Sequence, residues 1–519
     1  MIEIILAIFI FLITGINIFR LIQIKEYFFR SLWAHFDYPS SFRLFINKKD
    51  FLFLFFWLIT LFFSIFFGKI IISEKSLNLF LILIFILFIK RHEQIHLINW
   101  TPKAWFIVLL TLLINARLIS LSNYDISVFF LLLTNGIQFT ILIFSTCLAN
   151  VLTNFYSIFL FRKAEDKIKK WLEKDKKRIV IGITGSYGKT STKEILSHLL
   201  SYKYRVLKSP QRLNAEIGLA QFINNQDLEN YDCLVLELGA RQMGEIKKMV
   251  NIFHPNITFL TGLAPQHIAT FGSMENIIKG KLEIFQSPNL KLAFLNGSNE
   301  KIKEIFKELN LEKKYLYAHP DGDFYSKNEI YSLEGTEFDF VYPEGEIRLK
   351  TNLIGPMVEN IIGALACCYC LEIKPNELKD KLTSFNLLPH QFQIIKKSNP
   401  LIIDDSYNAN IVGVQKALDF FYKIPLRKRY VFFAGILELG VETEDIYSKI
   451  LESFKDIDKL IITFKDFSEI FTNKLKNKVI IYNHQDIKEL IEDENKEDIG
   501  ILILGRIPNN LLEKLISLQ

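Results

Sequence analysis

A glycine-rich loop between a predicted strand and a predicted helix is the first feature with clear chemistry. The strand at 178–184 (RIVIGIT) runs into this loop, and a helix follows at 190–200. Glycines allow backbone N–H groups to face phosphate oxygens, and the N-terminus of the helix adds the positive end of its dipole. In such a loop a lysine reaches the β- and γ-phosphates, and a following hydroxyl ligates Mg²⁺. The strict motif has a glycine where this chain has Ile183, but strand, loop and helix together predict nucleotide binding by Gly185, Ser186, Tyr187, Gly188, Lys189, Thr190 and Ser191.

A carboxylate that could complete a metal site ends another predicted strand. In the segment 232–239 (DCLVLELG), four apolar residues precede Glu237. Open α/β sheets bind their ligands beyond the carboxyl ends of the strands. A glutamate at a strand end is unremarkable alone, but beside a phosphate loop it is typical of a Mg²⁺ ligand. We therefore predict that Thr190 and Glu237 hold a metal ion together.

The elements around these residues predict two α/β domains. Strands at 178–184, 232–239 and 256–262 alternate with amphipathic helices, and their apolar residues are continuous rather than alternating. This pattern is typical of a parallel sheet covered by helices on both faces. We predict a central ATP-binding domain with a mostly parallel sheet at 178–392 and a Rossmann-like C-terminal domain at 393–519. The strands of the second domain are expected at 400–406, 428–435, 459–464, 477–482 and 500–505.

The composition indicates a further region of a different kind. Of the 519 residues, 50% are apolar and 23% are charged, with a mean hydropathy of +0.21. These values exclude a disordered chain and a collagen. The five cysteines include a single C-x-x-C pair, Cys367 and Cys370, with no second pair to complete it, so they indicate neither a zinc site nor a disulfide framework. A net charge of only +6 does not indicate a nucleic-acid partner.

Apolar runs near the N-terminus predict an α-helical transmembrane bundle over residues 1–152. A helix needs ~20 apolar residues to cross a membrane. Lys and Arg concentrate in alternate connections, which predicts an outside N-terminus and cytoplasmic catalytic domains. Because paired charges are absent from the runs, we expect an anchor or docking module. The predicted spans, about five, lie at 3–22, 51–72, 76–89, 104–121 and 127–151.

The segment 153–177 is predicted to be a charged amphipathic connector. It has Ile168, Trp171 and Leu172 on one side of a helix, with lysines and acids around them. Such a helix can lie on a membrane surface. It can equally be a solvated linker helix, and both interpretations stay open at this stage.

A zinc-protease motif at 92–96 (HEQIH) is better explained as part of a polar interfacial helix. A catalytic zinc ion takes three protein ligands. Between His96 and the connector the only acidic residue is Asp125, which falls on the opposite predicted face of the membrane, and no histidine follows there. We therefore expect no protease activity.

The phosphate loop and several later motifs resemble the Mur ligase family, the ATP-dependent enzymes that form amide bonds in peptidoglycan synthesis. The loop is similar to the family's T-G-[ST]-x-G-K-T-[ST] motif, and the order and spacing match over about residues 178–510. Within the family, the pattern is most similar to the branch that adds D-alanyl-D-alanine. The other motifs are 214–218 (NAEIG), 237–240 (ELGA) with 244–246 (GEI), His267 with 271–273 (FGS) and 281–285 (KLEIF), 404–410 (DDSYNAN) and 436–440 (ILELG).

The resemblance implies a catalytic centre with a pair of Mg²⁺ ions. In the family, the lysine that matches Lys281 is carbamylated, which turns an ammonium into a metal-binding group. From its spacing alone, Lys281 would be a solvated lysine on a helix. The residues with an implied catalytic role are Lys189, Glu237, His267 and Lys281, and those with an implied role in metal binding are Thr190, Glu237, His267 and Lys281.

The resemblance also implies contacts with nucleotide and substrate. Asp405 matches the acid that binds the ribose of ATP, and Asn360 matches an asparagine near the adenine. Other matching residues, expected near the phosphates or the substrate, are Asn214, Glu216, Asn408 and Asn410.

The chain departs from the family pattern mainly at these nucleotide and substrate contacts. The family's H-N-V-x-N motif keeps only its last asparagine, in the segment 355–360 (GPMVEN). A family G-R pair appears as 390–391 (HQ), so an arginine that contacts the nucleotide is missing. Tyr447 takes the place of a late histidine, and a K-G-S motif reads 504–506 (LGR).

The implied reaction joins D-alanyl-D-alanine to UDP-MurNAc-tripeptide, with ATP and Mg²⁺, through an acyl phosphate. We expect the protein at the bacterial inner membrane, a multi-pass protein in contact with other envelope-synthesis enzymes. Family members usually begin with a uridine-binding domain, where this chain has apolar runs. Two alternatives therefore stay open: a ligase for another cell-envelope or lipid-linked acceptor, and a weakly active nucleotide-binding scaffold.

Overall fold

The computed structural model describes residues 127–266, 268–386, 389–396, 400–407, 409–436, 443–463, 468–482 and 498–516. Residues from Phe159 onward form one compact unit that contains two six-stranded sheets. Both sheets have the α/β pattern that their continuous apolar strands predict.

The first sheet carries the phosphate loop at its centre. Its strands are β1 (Ile179–Thr184), β2 (Val206–Lys208), β3 (Cys233–Glu237), β4 (Ile257–Leu260), β5 (Leu292–Asn296) and β6 (Lys314–Tyr317). Their order is β2-β3-β1-β4-β5-β6, and all neighbours are parallel. Ile183 is level with Glu237 in the register. The end of β1 and the glutamate of β3 therefore lie at the same edge of the sheet, as predicted.

Helices accompany this sheet, and of the first of them only the residues from Phe159 onward belong to the same compact unit. They are α1 (Ser127–Lys174), α2 (Lys189–Leu200), α3 (Glu216–Asn225), α4 (Glu245–Phe253), α5 (Ile268–Phe271), α6 (Met274–Leu282), α7 (Glu300–Glu308), α8 (Val358–Cys370) and α9 (Lys379–Ser384). The buried residues of α2 and α8 belong to one apolar core together with β1, β3 and β4. α2, which follows the phosphate loop, is thus anchored on the sheet along most of its length.

A small antiparallel sheet, which the sequence analysis did not predict, precedes α8. It consists of β7 (Tyr325–Ser332), β8 (Gly335–Tyr342) and β9 (Gly345–Thr351), paired in that order. Phe338 and Phe340 of β8 are fully buried in the core that also contains α8. The sheet therefore packs against the helix that carries Asn360.

The second sheet has one antiparallel edge strand. Its strands are β10 (Gln393–Lys396), β11 (Leu401–Asp405), β12 (Lys428–Phe433), β13 (Lys459–Ile462), β14 (Val479–Ile481) and β15 (Ile499–Leu504), in the order β10-β11-β15-β12-β13-β14. Only β10 is antiparallel to its neighbour. The helices of this part are α10 (Ile411–Lys423), α11 (Thr443–Leu451), α12 (Ser468–Leu475) and α13 (Asn509–Ile516). All five strands predicted for this domain are present.

The C-terminal part of α1 packs on protein, which neither interpretation of the connector anticipated. Ala164, Ile168 and Trp171 are buried in the same core as α3 and α4. The Lys167 ammonium donates to the Asn224 carbonyl oxygen at 3.0 Å. The amphipathic pattern correctly marks an apolar face, but the face is covered by the central domain.

The predicted transmembrane bundle, and with it the membrane-embedded N-terminus and the multi-pass location, is wrong on the described residues. Among them, no helix combines the length and the apolar character that a membrane crossing requires. The runs at 3–22, 51–72, 76–89 and 104–121 lie outside the described residues, as does the motif at 92–96. High hydropathy indicates that a segment must be buried, but it does not indicate what covers that segment. The apolar face of α1 from Leu160 onward is covered by protein.

Candidate active site

The turn from β1 into α2 needs glycine at two positions. Gly185 has φ +152° and Gly188 has φ +78°, which are conformations that favour glycine. A Cβ atom on Gly185 would lie 2.3 Å from the Thr261 hydroxyl oxygen. The loop is also tied to β4 and the segment after it, because the Ser186 N–H donates to Gly262 O at 2.7 Å. These constraints hold the backbone in the form that exposes N–H groups at the start of α2.

A hydroxyl and a carboxylate meet beside the loop. The Thr190 hydroxyl donates to Glu237 Oε2 at 2.9 Å, and Asn214 Nδ2 donates to Glu237 Oε1 at 3.0 Å. Glu237 is buried, with both of its carboxylate oxygens hydrogen-bonded. The structure thus brings together three of the predicted site residues, which are 47 and 23 positions apart in the chain.

Lys189 folds over the loop itself. Its ammonium donates to the Gly185 carbonyl oxygen at 2.7 Å. Burial lowers the pKa of Lys189, and nearby Glu237 partly opposes that shift. The ammonium therefore lies next to the backbone that would cradle phosphates.

Lys281 is a buried lysine, not the solvated one that its spacing suggests. Its side chain lies near the end of α6 and the residue is 3% exposed. Its ammonium nitrogen is 3.5 Å from the Ala240 carbonyl oxygen and 5.8 Å from the centre of the Phe271 ring. Burial, with a smaller contribution from Lys189, lowers the pKa of Lys281 to about 7. The lowered pKa favours the uncharged, nucleophilic form of this amine.

Asn360 lies directly against the start of α2. Its Oδ1 accepts a hydrogen bond from the Thr192 hydroxyl at 3.0 Å, and a Cβ atom on Gly188 would lie 3.0 Å from the same oxygen. Asn360 is buried near the N-terminus of α8. The predicted nucleotide-binding asparagine is thus in contact with the phosphate loop and its helix.

Two adjacent acids at the end of β11 have different surroundings. Asp404 accepts a hydrogen bond from the Ser406 N–H at 3.0 Å and lies 2.8 Å from His390 Nδ1. Burial, with a smaller contribution from Asp404 and against a hydrogen bond from the Phe392 backbone, raises the pKa of Asp405 to about 7. The contacts of Asp404 therefore stabilise the fold, whereas Asp405 is half-buried at the end of β11.

The other predicted substrate residues have local contacts. Asn410 caps α10, because its Oδ1 accepts from the Gly413 N–H at 2.9 Å. Glu216 begins α3 and lies 3.5 Å from the Lys248 ammonium. His267 and Asn408 lie outside the described residues.

The segment before β10 brings an uncharged side chain to the loop. Gln391 is 4% exposed, and its Oε1 lies 3.5 Å from the Ser191 hydroxyl oxygen. In the described part of the chain its Nε2 has no hydrogen-bond partner. Its neighbours His390 and Phe392 have φ values of +72° and +40°. A strained backbone thus holds this amide against the loop. From the sequence, only the absence of the family's arginine could be predicted at this position.

Two further contacts were missed from the sequence. Lys193, on α2, is buried beside Glu237. Lys416, on α10, forms an ion pair with Glu359 on α8 and lies 5.7 Å from the ring centre of Tyr187 in the phosphate loop. Each joins residues distant in sequence, and no short motif contains both partners.

Metal-binding capacity at this site comes from oxygen ligands. Among the described residues, no three side chains of His, Cys, Asp or Glu come together. A hydroxyl and a single carboxylate, Thr190 and Glu237, suit Mg²⁺, which keeps several water ligands and takes others from substrate phosphates.

Two domain families match the chain over the regions just described. The Mur ligase middle domain matches residues 183–369, and the domain described as Mur ligase, glutamate ligase domain, matches residues 390–506. Together they contain the phosphate loop, Glu237, Lys281 and Asp405.

Curated relatives and solved structures agree with this match. UDP-N-acetylmuramoyl-tripeptide--D-alanyl-D-alanine ligase of Escherichia coli (strain K12) is 29% identical over 318 residues, 60% of this chain and 70% of the relative. The Rickettsia prowazekii protein of the same name is 27% identical, over 63% of this chain and 75% of the relative. The crystal structure of the MurF ligase of Thermotoga maritima in complex with ADP has a TM-score of 0.61 at 25% identity, covering 70% of this chain and 83% of that one. MurF of Acinetobacter baumannii shares the fold, with a TM-score of 0.63 at 21% identity over 70% of this chain and 81% of that one.

Proposed function

The chain belongs to the Mur ligase family, and we propose that it is the ATP-dependent ligase that adds D-alanyl-D-alanine to UDP-MurNAc-tripeptide in peptidoglycan synthesis. The observation that carries this proposal is the arrangement at the end of β1, where Thr190, Asn214 and Glu237 meet beside the phosphate loop. The relatives named for this reaction match 60% and 63% of the chain.

The chemistry requires an activated carboxyl group. A carboxylate is a poor acyl donor because its leaving group would be oxide. Transfer of the γ-phosphoryl group of ATP to a carboxylate oxygen gives an acyl phosphate and ADP. The amine of D-alanyl-D-alanine then attacks the carbonyl carbon, a tetrahedral intermediate forms, and inorganic phosphate leaves as the amide bond closes.

We assign the handling of phosphate charge to the loop. Its backbone N–H groups and the Lys189 ammonium offset negative charge on the transferring group, which is mainly electrostatic stabilisation and positioning. The hydroxyl of Thr190 and the carboxylate of Glu237 would hold Mg²⁺, which when bound neutralises phosphate charge. Asn214 orients Glu237 through its hydrogen bond.

We further propose that Lys281 is the site of carbamylation. A neutral amine attacks CO₂ at carbon, the C–N bond forms and one proton leaves, so that a carbamate anion replaces the amine. The lowered pKa of Lys281 favours this step, because the attacking amine must be uncharged. The carbamate would supply a second anionic ligand in a site where Glu237 is the described carboxylate, and His267 is proposed as a further ligand by resemblance.

In the C-terminal domain we propose that Asp405 binds the ribose and that Asn360, from the central domain, lies near the base. Domain closure would be needed to bring Asp405 to a nucleotide on the loop. Asn408 and Glu216 are proposed as substrate contacts by resemblance, whereas the capping bond of Asn410 supports a structural role.

Phosphate release tests the proposed function. The purified full-length protein is given ATP and Mg²⁺, with each of UDP-MurNAc-tripeptide and D-alanyl-D-alanine alone and with both. We expect release to require both substrates and to match a pentapeptide product by mass. Release that ignores both substrates would contradict this assignment.

A further inference from the structure

The helix that follows the phosphate loop buries a second lysine, to which the proposed chemistry gives no role. Lys193 lies one turn after Lys189 on α2, and its side chain is 0% exposed. Its ammonium nitrogen is 3.3 Å from Glu194 Oε1 and 3.5 Å from Glu237 Oε2. Among the described residues it has no hydrogen-bond partner. Burying an ammonium in this way is unfavourable unless its charge is needed.

Lys193 is not the only cation that pairs with Glu194. The ammonium of Lys208 also forms an ion pair with Glu194, and the Lys208 side chain is about half exposed, so it lies at the surface end of the network. The chain of charges therefore runs from Lys208 through Glu194 and Lys193 to Glu237. Of the two lysines, only Lys193 forms an ion pair with Glu237.

Glu237 does not need Lys193 to satisfy its hydrogen bonds either. Thr190 donates to one carboxylate oxygen and Asn214 to the other. Lys193 lies beyond ordinary hydrogen-bond length from the oxygen that Thr190 already contacts. Its effect on Glu237 is therefore that of a fixed positive charge.

We propose that Lys193 is a positioning residue, a built-in counter-cation for Glu237 that weakens the binding of a divalent ion in the absence of nucleotide. This inference rests on the proposed role of Glu237 as a metal ligand. A fixed ammonium close to a ligand oxygen repels a second cation there. The phosphates of a bound nucleotide offset this repulsion, so that metal and nucleotide bind together rather than the metal alone.

Direct metal binding tests this proposal without turnover. Mn²⁺ is titrated into the full-length protein, with and without ADP, and the free ion is followed by electron paramagnetic resonance. For Lys193→Met we expect the nucleotide-free Kd to tighten on the order of tenfold, because a buried positive charge is removed. The Kd in the presence of ADP should change less. At the same time we expect a lower kcat, because Glu237 loses the positive charge beside its Oε2.

Lys208→Met is the matched control. It removes the same charge and the same type of ion pair with Glu194, but at a site away from Glu237, so its Mn²⁺ Kd should equal that of the wild type. Lys193→Met leaves two buried carboxylates without their shared cation and can impair folding. The double variant Lys193→Met/Glu194→Gln keeps the charge balanced, and it should show the same tightening.

The outcomes separate this proposal from the proposed function. If neither Lys193 variant tightens Mn²⁺ binding while Glu237→Gln abolishes it, the metal site stands and the role of Lys193 is wrong. Equal tightening in Lys208→Met would also overturn that role, because a distant charge would suffice. If the wild type binds no Mn²⁺ with ADP, or Glu237→Gln leaves binding intact, the metal site itself is wrong, and the role of Lys193 is wrong with it.

Discussion

The central and C-terminal domains bring different chemistry to the phosphate loop. Around the loop, the central domain buries the ammonium groups of Lys189, Lys193 and Lys281 with the carboxylate of Glu237. The region of the C-terminal family match, which begins at residue 390, contributes the neutral amide of Gln391 and the acid Asp405, whose pKa is raised to about 7. Buried charge beside the loop thus comes mainly from the domain that would carry out phosphoryl transfer, although the partly exposed Lys416 of α10 also lies near Tyr187. We expect the other domain mainly to orient the nucleotide.

The difference accounts for the departures from the family pattern that fall in the C-terminal region, whereas the change at 355–360 lies in the central domain. Charged groups at a reacting phosphate have few substitutes, because each stabilises charge in the transition state. Hydrogen bonds that orient a bound nucleotide contribute less individually and can be exchanged more easily. The replacements at 390–391 and at Tyr447 both fall in the C-terminal region, where Tyr447 is buried with its hydroxyl 3.0 Å from the Ile436 backbone nitrogen.

The largest effect should come from the central domain. Lys189→Ala is expected to lower kcat by about 10²–10³-fold, because it removes a charge that stabilises the transferring phosphoryl group. Steady-state phosphate release with both substrates measures this. Lys301→Ala, which removes an exposed lysine paired with its helical neighbour Glu304, should leave the rate unchanged. A Lys189→Ala rate equal to that of the wild type would contradict the division between the domains and favour a scaffold.

The second-largest effect on activity is expected for Lys281. Lys281→Met is expected to lower kcat about 10–100-fold, the usual range for groups that support a metal site. Since the pKa of Lys281 is about 7 and only the neutral amine takes up CO₂, wild-type activity in freshly carbonate-depleted buffer should fall as the pH drops below 7 and recover when bicarbonate is added. Mass spectrometry under non-denaturing conditions would detect the carbamate. Activity independent of bicarbonate would argue against carbamylation.

The central site could be predicted largely from sequence because its main members belong to local motifs. Lys189 and Thr190 lie within one loop, and Glu237 could be placed by the rule that parallel strands present their ends at one edge of a sheet. The burial of Lys281 could not be predicted, because helical spacing does not tell whether a single lysine lies on the solvated or on the buried face of its helix. Lys193 and Glu237, 44 residues apart, meet only once the sheet is assembled.

The pattern of apolar residues did not predict what each apolar face packs against. Ile168 and Trp171 were correctly placed on one side of a helix, but periodicity indicates that a face is buried without indicating against what. In the structure that face packs on the central domain. The position of the Gln391 amide could not be predicted from the sequence either, because its approach to Ser191 depends on the unusual backbone angles of His390 and Phe392.

Asp404 and Asp405 allow the comparison to be tested within one strand. Asp404→Asn should destabilise the protein by about 1–3 kcal/mol, because it disrupts the buried contacts with His390 and Ser406. Asp405→Asn should instead stabilise the protein at neutral pH. The folded protein holds a proton on Asp405 up to about pH 7, whereas the unfolded chain releases it near the ordinary value of 3.8, so wild-type stability falls as the pH rises between these values.

Denaturant unfolding at several pH values measures both variants. The stability of Asp405→Asn relative to the wild type should rise from about pH 4 to pH 7, while its affinity for ADP falls. Equal destabilisation by the two substitutions would mean that Asp405 is as structural as its neighbour and would remove the proposed ribose contact.

Gln391 should give the smallest effect. Gln391→Ala is expected to weaken ATP binding by about 2- to 10-fold, the value of a neutral hydrogen bond, with little change in kcat. Gln391→Arg should tighten ATP binding by adding a charge near the phosphates. Isothermal calorimetry with a non-hydrolysable ATP analogue separates affinity from turnover. A loss as large as that of Lys189→Ala would show that the C-terminal region shares the electrostatic role.

The central claim is that this chain activates a carboxylate as an acyl phosphate, and oxygen transfer tests it most directly. UDP-MurNAc-tripeptide labelled with ¹⁸O in its terminal carboxylate is converted with ATP, Mg²⁺ and D-alanyl-D-alanine, and the released phosphate is analysed by mass spectrometry. The account predicts that one labelled oxygen moves from the carboxylate to each phosphate derived from a doubly labelled substrate. Phosphate released without label, with the oxygen lost from the carboxylate recovered in AMP or in water, would contradict the account.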